Sequence, residues 1–203
     1  MTAFRSLGRY AAHTLRARRG PRCELCASPI APRHRHVVDL AERRLLCGCD
    51  ACALLFPTTG LARYRGVPTD VRQDGSALPS AADLDRLGIP VGLAFLFRAS
   101  ALGRWTAAFP GPSGVAEAEL PDGAWETFAS TYPLARTVAD DVEAFLIYRR
   151  RTGRTTALAV PIDVCYEMTA LLREHFRGID GGDASRDALE AFLGDVEGRA
   201  RAP

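Results

Sequence analysis

Five cysteines lie within thirty positions near the N-terminus and form the clearest chemical signal in the sequence. Two Cys-x2-Cys pairs, Cys23 with Cys26 and Cys49 with Cys52, are separated by 22 residues. Each pair can place two thiolates on one tight turn, and two such turns supply the four sulfur ligands of a tetrahedral metal site. The spacing therefore predicts that these four cysteines form a metal site.

Cys47 complicates the choice of ligands because it could replace Cys49. A Cys-x4-Cys loop is wider than the tight turn in which backbone N–H groups bond to the sulfurs. We therefore interpret Cys47 as a spare thiol beside the site and keep it as the alternative ligand. His34 and His36 are two residues apart on a predicted strand and could offer a ligand from one face, although we favour solvent-facing histidines.

Zinc and iron both suit a closed site of four sulfurs, since zinc would be structural and iron would be redox-active as in rubredoxin. Rubredoxin knuckles usually place glycine after the second cysteine of each pair. Here Ala27 and Ala53 follow, and Phe56 is the only close aromatic residue. The pattern favours zinc, with iron as the alternative cofactor.

Disulfides are the competing use of these cysteines. A disulfide inside a Cys-x2-Cys loop is more typical of a redox motif than of a structural cross-link. The basic N-terminal segment does not lead into an apolar stretch of the kind found in signal peptides. We therefore expect a cytoplasmic protein whose thiols stay reduced and available to a metal ion.

The remaining sequence contains no clear catalytic group. Asp163 and Cys165 lie near the start of a predicted helix, where a thiol pKa would fall, and His175 follows three turns later. We interpret Asp163 as a helix cap and Cys165 as a buried side chain. The acidic run Asp140-Asp141-x-Glu143 has no partner motif, and phosphate-binding loops and common hydrolase motifs are missing from the sequence. The sequence leaves enzymatic activity uncertain and favours a protein that is not an enzyme.

Composition and charge narrow the classes of partner. Hydrophobic residues make up 47% of the 203-residue chain, and no apolar run approaches the ~18 residues of a membrane span. Residues 1–44 hold ten arginines against three acids, whereas the remainder holds 16 arginines against 21 acids. The basic N-terminal part could meet an acidic surface of nucleic acid, anionic lipid or protein. Against single-strand nucleic acid, only Phe4 and Tyr10 lie among its arginines, too few aromatic residues for stacking along a strand. Nucleic acid is therefore the less favoured partner.

The N-terminal part of the chain divides into three predicted segments. Helical spacing of apolar residues indicates a basic amphipathic arm that ends at Gly20-Pro21. Two β-prone runs between the cysteine pairs predict a hairpin, so that two knuckles and a hairpin would form a zinc ribbon. Leu54, Leu55 and Phe56 would then cover one side of the site and lead outward. The predicted boundaries are an arm at 1–20, a zinc-ribbon-like four-cysteine module at 21–56 and a linker at 57–80.

The sequence pattern predicts an α+β domain over 81–197, with a mainly antiparallel sheet and C-terminal helices. A tail follows at 198–203. The segment 141–149 is ambiguous, and its aromatic and β-branched residues favour a strand. A helix beginning at Asp163 would end at Gly178. The other predicted helices cover 81–87, 125–132 and about 185–197, and the other predicted strands cover 91–98, 105–109, 115–120 and 155–160.

The chain resembles an uncharacterised bacterial family that occurs beside genes for high-affinity [NiFe]-hydrogenases. The resemblance extends over roughly residues 20–197, and its most specific part is the cysteine block. The stretches that carry it are CELC, HRHVVDL and LLCGCDACALLF within 23–56, IPVGLAFLF at 89–97, DDVEAFLIYR at 140–149, and PIDVCYEMTALLREHFRGIDGG at 161–182.

The resemblance implies a non-enzymatic accessory protein that supports assembly, maturation or activity of a [NiFe]-hydrogenase through protein–protein contacts. The implied partner is a hydrogenase subunit or a maturation factor. The alternative is a rubredoxin-like iron electron carrier for the hydrogenase. A zinc-ribbon protein that binds nucleic acid is the third and less favoured hypothesis.

Overall fold

A computed structural model describes residues 20–60, 62–75, 78–89, 92–111, 114–176 and 182–202. The predicted helix in the basic arm and the predicted helix end at Gly178 lie outside the described residues. Within the described ranges the chain has the α+β fold that the sequence predicted, with helices and two antiparallel sheets.

The predicted elements from 35 onward occur in the predicted order, with shifts of a few residues at most ends, and three further elements, at 50–54, 64–66 and 133–137, were not predicted. The strands are β1 Arg35–Asp39, β2 Arg44–Gly48, β3 Tyr64–Gly66, β4 Leu93–Ala99, β5 Arg104–Gly111, β6 Gly114–Glu119, β7 Glu143–Arg149 and β8 Thr155–Pro161. The helices are α1 Asp50–Leu54, α2 Ala81–Arg86, α3 Ala124–Thr131, α4 Ile162–His175 and α5 Gly182–Gly198, with a 3₁₀ helix at Pro133–Thr137.

The larger sheet has five antiparallel strands in the order β6-β5-β4-β7-β8 and is covered on both faces. Alternate residues of a strand point to opposite faces. Leu146 accordingly packs with Met168 of α4 and Leu193 of α5, whereas Phe145 packs against Trp125 and the other apolar residues around α3. Because β7 is buried on both faces, its sequence is a nearly continuous apolar run, which explains why its periodicity was ambiguous.

The smaller sheet has the order β2-β1-β3 and carries the cysteine knuckles. The β1–β2 hairpin is the one that the sequence predicted, with His36 opposite Cys47 in its register. Strand β3 lies within the segment interpreted as a linker and pairs antiparallel with β1. Val38 and the following Val67 and Val71 belong to the same core cluster as α4 and α5, so this sheet packs on that face of the larger sheet.

The start of α4 differs from the sequence prediction. Pro161 stands at the N-cap, and Asp163 lies inside the first turn instead of capping the helix. The prediction was wrong because an acidic residue near a helix start has two uses, as a cap or as a partner for a distant group. Here the Asp163 carboxylate lies 2.8 Å from Nδ1 of His36, 127 positions away in the chain.

Gly66 allows β3 to approach α1 closely. A Cβ added at Gly66 would lie 2.8 Å from the Phe56 carbonyl oxygen and 3.0 Å from that of Ala53. We expect Gly66→Ala to lower the free energy of unfolding by about 1–3 kcal/mol, as overpacking against backbone does. Denaturant unfolding would measure it.

Gly194→Ala is the matched control, because Gly194 is exposed on α5 and nothing lies within 4 Å of the added methyl group. In a helix interior this change stabilises by up to ~1 kcal/mol. Equal effects of the two substitutions would contradict the close approach of β3 to α1.

None of the helices in the described ranges has both the length and the apolar character that crossing a bilayer requires.

Candidate metal centre

The first knuckle is a tight turn closed by backbone hydrogen bonds. The Cys23 N–H donates to the Ser28 carbonyl at 2.9 Å, and the Ala27 N–H donates to the Cys23 carbonyl at 2.8 Å. Ala27 has a φ of 62°, which is the left-handed region that favours glycine. An alanine therefore occupies the place where rubredoxin knuckles usually carry glycine, and the turn forms without one.

The second knuckle is the start of a short helix. Cys49 is the N-cap of α1, and its sulfur accepts a hydrogen bond from the Cys52 N–H at 3.4 Å. A side chain at the N-cap normally satisfies one of the unpaired N–H groups of the first turn, and here a sulfur does so. The spacing of two residues between Cys49 and Cys52 thus places both sulfurs on one helical turn.

Glu24 holds the two knuckles at a fixed distance. Its N–H donates to the Cys47 carbonyl at 2.8 Å, and its carboxylate accepts from the Cys47 N–H at 2.7 Å. The other carboxylate oxygen accepts from Arg44 at 3.2 Å. The residue between the first two cysteines is therefore bonded to the end of β2, directly before the second knuckle.

The sulfurs of Cys23, Cys26, Cys49 and Cys52 all lie within 4.8 Å of one another. The Cys26 and Cys49 sulfurs are 3.7 Å apart, and no cysteine of the chain forms a disulfide. Sulfurs bound at ≈ 2.3 Å around one tetrahedral ion lie just under ~4 Å apart, so this cluster could hold a metal ion after small adjustments.

The environment of the cluster separates the pKa values of its thiols. Burial raises the pKa of the Cys23 thiol, but three backbone N–H groups directed at the sulfur outweigh burial and lower the pKa to about 6. Hydrogen bonds from Ser28 lower the pKa of Cys26. Hydrogen bonds to the Cys49 and Cys26 sulfurs raise the pKa of Cys52 to about 12. Four thiolates repel one another, so all four form together only when a cation offsets their charge.

The apolar residues after the second knuckle do not cover the site. Leu54 and Leu55 are each 75% exposed, and Leu25 in the first knuckle is also exposed. The expectation that Leu54 and Leu55 would shield the sulfurs was therefore wrong, because α1 ends at Leu54 and turns both side chains outward. Only Phe56 turns back, and it packs beside Tyr64 of β3 at a ring distance of 5.5 Å.

Cys47 lies outside the group of four sulfurs and belongs to a second group. Its ligand atom and those of His34 and His36 lie within 4.8 Å of one another. Burial and the nearby Glu24 carboxylate raise the pKa of the Cys47 thiol. The histidines are partly buried, whereas the sequence favoured solvent-facing side chains. The sequence predicted the β1–β2 hairpin but not the register that brings these residues together, because the pattern did not fix the length of the turn.

Cys165 does not face a catalytic partner. It is fully buried in the core formed by α4, α5 and the larger sheet, and burial raises its pKa well above the ordinary value. His175, three turns along the same helix, has its Nδ1 at 3.0 Å from the Leu171 carbonyl. The interpretation of Cys165 as a buried side chain fits this environment, and a Cys165–His175 pair is not formed.

The acidic run around β7 contributes ion pairs. Asp140 lies 2.6 Å from Arg98, and Glu143 lies 2.7 Å from Arg72. Asp141 lies 2.5 Å from Arg65 of β3. The sequence showed no partner for these acids because each arginine stands more than 40 positions away.

An apolar cavity of about 170 Å³ lies between the tip of the β1–β2 hairpin and the larger sheet. Leu45 and Phe97 line it, and Tyr166 stands half-exposed at its wall. Arg43 and Glu117, on opposite sides, form an ion pair at 3.7 Å. None of the four clustered cysteines lines this cavity, so it is separate from the candidate metal centre.

The fold and the site define an α+β protein with a four-cysteine cluster that could bind a metal ion. The chain belongs to DUF5947, a family of unknown function, whose model matches residues 22–200. The match includes all four clustered cysteines and both sheets. No curated protein and no solved structure matches the chain.

Proposed function

We propose that the four-cysteine site holds one structural zinc ion and that the protein is a non-enzymatic accessory protein acting through protein–protein contacts. The observation that carries this proposal is the convergence of four cysteine sulfurs from two separate knuckles. Four thiolates fill the coordination of zinc and leave no position for a substrate, as in structural sites. A small three-stranded sheet buries little apolar surface, so a metal ion would supply much of its folding free energy.

A contact surface next to the metal supports the accessory role. Leu25 in the first knuckle and Leu54 and Leu55 after the second are the exposed large apolar residues nearest the cysteines. Contiguous exposed apolar side chains commonly mark protein interaction sites, and Leu54 and Leu55 are neighbours in the chain. The metal would hold the two knuckles that present them. The proposed partner is a [NiFe]-hydrogenase subunit or maturation factor, which the sequence resemblance implies.

Metal analysis with an absorption spectrum, on protein purified without added metal, tests the cofactor. We expect about one zinc ion per chain in the four-sulfur site and no visible band. About one iron with thiolate-to-iron charge-transfer bands would instead support the rubredoxin-like electron carrier. A protein that binds neither metal, even after reduction of its thiols and addition of zinc, would contradict the proposal.

Co-expression of the tagged chain with the hydrogenase subunits and maturation factors tests the partner. We expect one of them to co-purify with the wild-type chain, and its recovery to fall at least about tenfold with Leu54→Ser/Leu55→Ser, since central apolar contacts dominate interfaces. Leu102→Ser is the control, because Leu102 is 45% exposed but lies in the β4–β5 turn. Equal loss with the control, or no recovery with the wild type, would contradict the proposed contact.

A further inference from the structure

A second group of metal-ligating side chains lies on one face of the β1–β2 hairpin. His36 in β1 stands directly opposite Cys47 in β2, and residues directly opposite in a sheet point to the same face. His34 lies just before β1, and its ring centroid is 4.7 Å from that of His36. The ligand atoms of the three residues lie within 4.8 Å of one another. In the part of the chain that the structure describes, this is the one such group besides the four cysteines.

In both histidines the ring nitrogen Nδ1 contacts hydrogen-bond acceptors. Nδ1 of His36 lies 2.8 Å from a carboxylate oxygen of Asp163. Nδ1 of His34 lies 3.0 Å from the Ala31 carbonyl and 3.1 Å from the Pro32 carbonyl. Because carbonyl and carboxylate oxygens only accept, Nδ1 carries the proton in both neutral rings. The lone pair is then on Nε2, the nitrogen that remains for a metal ion.

The arrangement around His36 matches the usual environment of a metal-bound histidine. Such histidines almost always donate their other N–H to a carboxylate or a backbone carbonyl, which fixes the ring and makes it more basic. Asp163 supplies the carboxylate from α4, and the backbone near His34 supplies the carbonyls. Two histidines of one cluster therefore both have the supporting bonds of metal ligands.

Nε2 of His34 is buried and has no hydrogen-bond partner. A buried polar atom without a partner costs free energy and is rare in native proteins. The other interpretation of the pair is stacking of two rings, whose centroids are 4.7 Å apart and whose planes are tilted by 54°. Stacking would explain the distance between the rings but would leave this nitrogen unsatisfied, whereas a metal ion would satisfy it.

We propose that His34, His36 and Cys47 form a second metal site, which takes a divalent transition-metal cation such as zinc. Two imidazoles and one thiolate suit cations of this class. Three protein ligands leave one of the four tetrahedral positions for water or an exchangeable ligand, unlike the closed site of four sulfurs. The second site thus binds a cation more weakly and exchangeably. It links the hairpin to α4 through Asp163.

Zinc titration of the full-length protein in competition with a chromophoric chelator tests this proposal. We expect about two zinc ions per chain, one tight and one weaker. His34→Gln and His36→Gln should each lose the weaker ion and keep the tight one. His175→Gln is the matched control, because His175 lies on α4 outside the group and should leave both ions in place.

Cys47→Ser separates the two sites in the same titration. If Cys47 belongs to the second site, this variant loses the weaker ion only. If Cys47 is instead a ligand of the four-sulfur site, it loses the tight ion, and the proposal is overturned. Wild-type protein that binds one zinc ion, or histidine variants that bind two as the wild type does, would also overturn it.

Long-range proton–nitrogen spectra of the wild-type histidines provide a test that needs no variant. We expect protonated Nδ1 in His34 and His36, and we expect their Nε2 signals to shift when the second equivalent of zinc is added. The His175 signals should not shift, although its Nδ1 also faces a carbonyl. Protonated Nε2 in both rings, or signals that do not change with the second equivalent, would contradict the site even if every variant failed to fold.

Asp163 is a positioning residue in this proposal, since its carboxylate contacts His36 and not the cation. Asp163→Asn should lower the affinity for the second zinc ion by about 10–100-fold and leave the first unchanged, as loss of a carboxylate behind a metal-bound histidine does. A purely structural role would lower the melting temperature without changing the affinity for the second ion, and that result would overturn the role assigned to Asp163.

Discussion

Replacing Cys26 with serine is expected to cost the protein its tightly bound metal ion and the ordered structure of the cysteine hairpin. A neutral hydroxyl is a much poorer ligand for zinc than a thiolate. Cys26 is exposed, so the substitution leaves no cavity in the core, and its effect reports on metal binding alone. Binding of structural zinc contributes roughly 10–16 kcal/mol in small metal-dependent domains, and loss of one of four ligands removes a substantial part of it.

Metal content after dialysis against a chelator, together with hydrogen exchange over residues 21–56, measures this effect. We expect the wild-type chain to keep about one metal ion and the Cys26→Ser variant to keep none. Exchange of the β1 and β2 amides should accelerate in the variant. Cys47→Ser is the matched control for the four-sulfur site, because Cys47 lies outside that group. A Cys26→Ser variant that holds metal as tightly as the wild type would contradict the assignment of Cys26.

The Cys26→Ser variant also tests the proposed division of the chain into a module at 21–56 and an α+β domain at 81–197. The five strands of the larger sheet pair in one continuous sheet, and within the described residues only a bridge between Arg72 and Ala159 of β8 extends it, so we expect residues 81–197 to stay folded without the metal. Val38, Val67 and Val71 pack into the core of that domain, and we therefore also expect its stability to fall. Slow amide exchange in β7 and β8 would support the division, whereas loss of protection throughout the chain would contradict it.

The parts of the structure that sequence reasoning found are those whose determinants are local. The four cysteines that the spacing indicated are those whose sulfurs lie within 4.8 Å of one another, because each pair shares one turn, and each turn needs only its own residues. The β1–β2 hairpin follows from two short β-prone runs around a polar turn. Strand β8 and helix α5 likewise follow from periodicity within one segment.

The parts that sequence reasoning missed depend on contacts between distant segments. Strand β3 has three residues among prolines and glycines, too few for any periodic pattern, and it forms because β1 offers a free edge. Asp163 has the position of a helix cap, and its use as a partner of His36 depends on how the hairpin packs against α4. The position of Cys47 opposite His36 was also not predictable, because that register is fixed only in the folded hairpin.

Arg65 is one of the few charged residues that the fold buries, and it joins the two sheets. It lies in β3 and is 6% exposed. Its guanidinium donates to the Asp141 carboxylate at 2.5 Å, to the Asp140 carbonyl at 3.0 Å and to the Gly60 carbonyl. In an arginine-rich sequence no local signal distinguishes this residue from the exposed ones.

The backbone conformation and the second carboxylate oxygen of Asp141 both support its contact with Arg65. Its φ of 68° lies in the left-handed region, which a non-glycine residue adopts at some cost. Its second carboxylate oxygen accepts the Ser100 N–H at 2.8 Å, so both oxygens are occupied. The ion pair therefore connects β3, which belongs to the smaller sheet, to two loops of the larger sheet. These loops are the turn after β4 and the residues before β7.

Arg65→Leu is accordingly expected to lower the free energy of unfolding by about 3–5 kcal/mol, because it leaves the Asp141 carboxylate buried without its cation. For a chain of this length the melting temperature should fall by about 6–20 °C. Thermal unfolding of metal-loaded protein measures the change. Arg104→Leu is the matched control: Arg104 pairs with Glu119 at 2.7 Å, but both side chains are about half-exposed. Such surface pairs contribute about 0–1 kcal/mol.

A double-mutant cycle distinguishes the ion pair from simple loss of packing. Asparagine tolerates the left-handed backbone at position 141 and can still accept the Ser100 N–H, so Asp141→Asn removes mainly the charge. In the Arg65→Leu background that second change should restore part of the lost stability, since no unpaired buried charge remains. Strictly additive losses would show that Arg65 and Asp141 act independently. In that case the link between the cysteine module and the larger sheet would depend on the apolar contacts of Val38, Val67 and Val71 instead of on the ion pair.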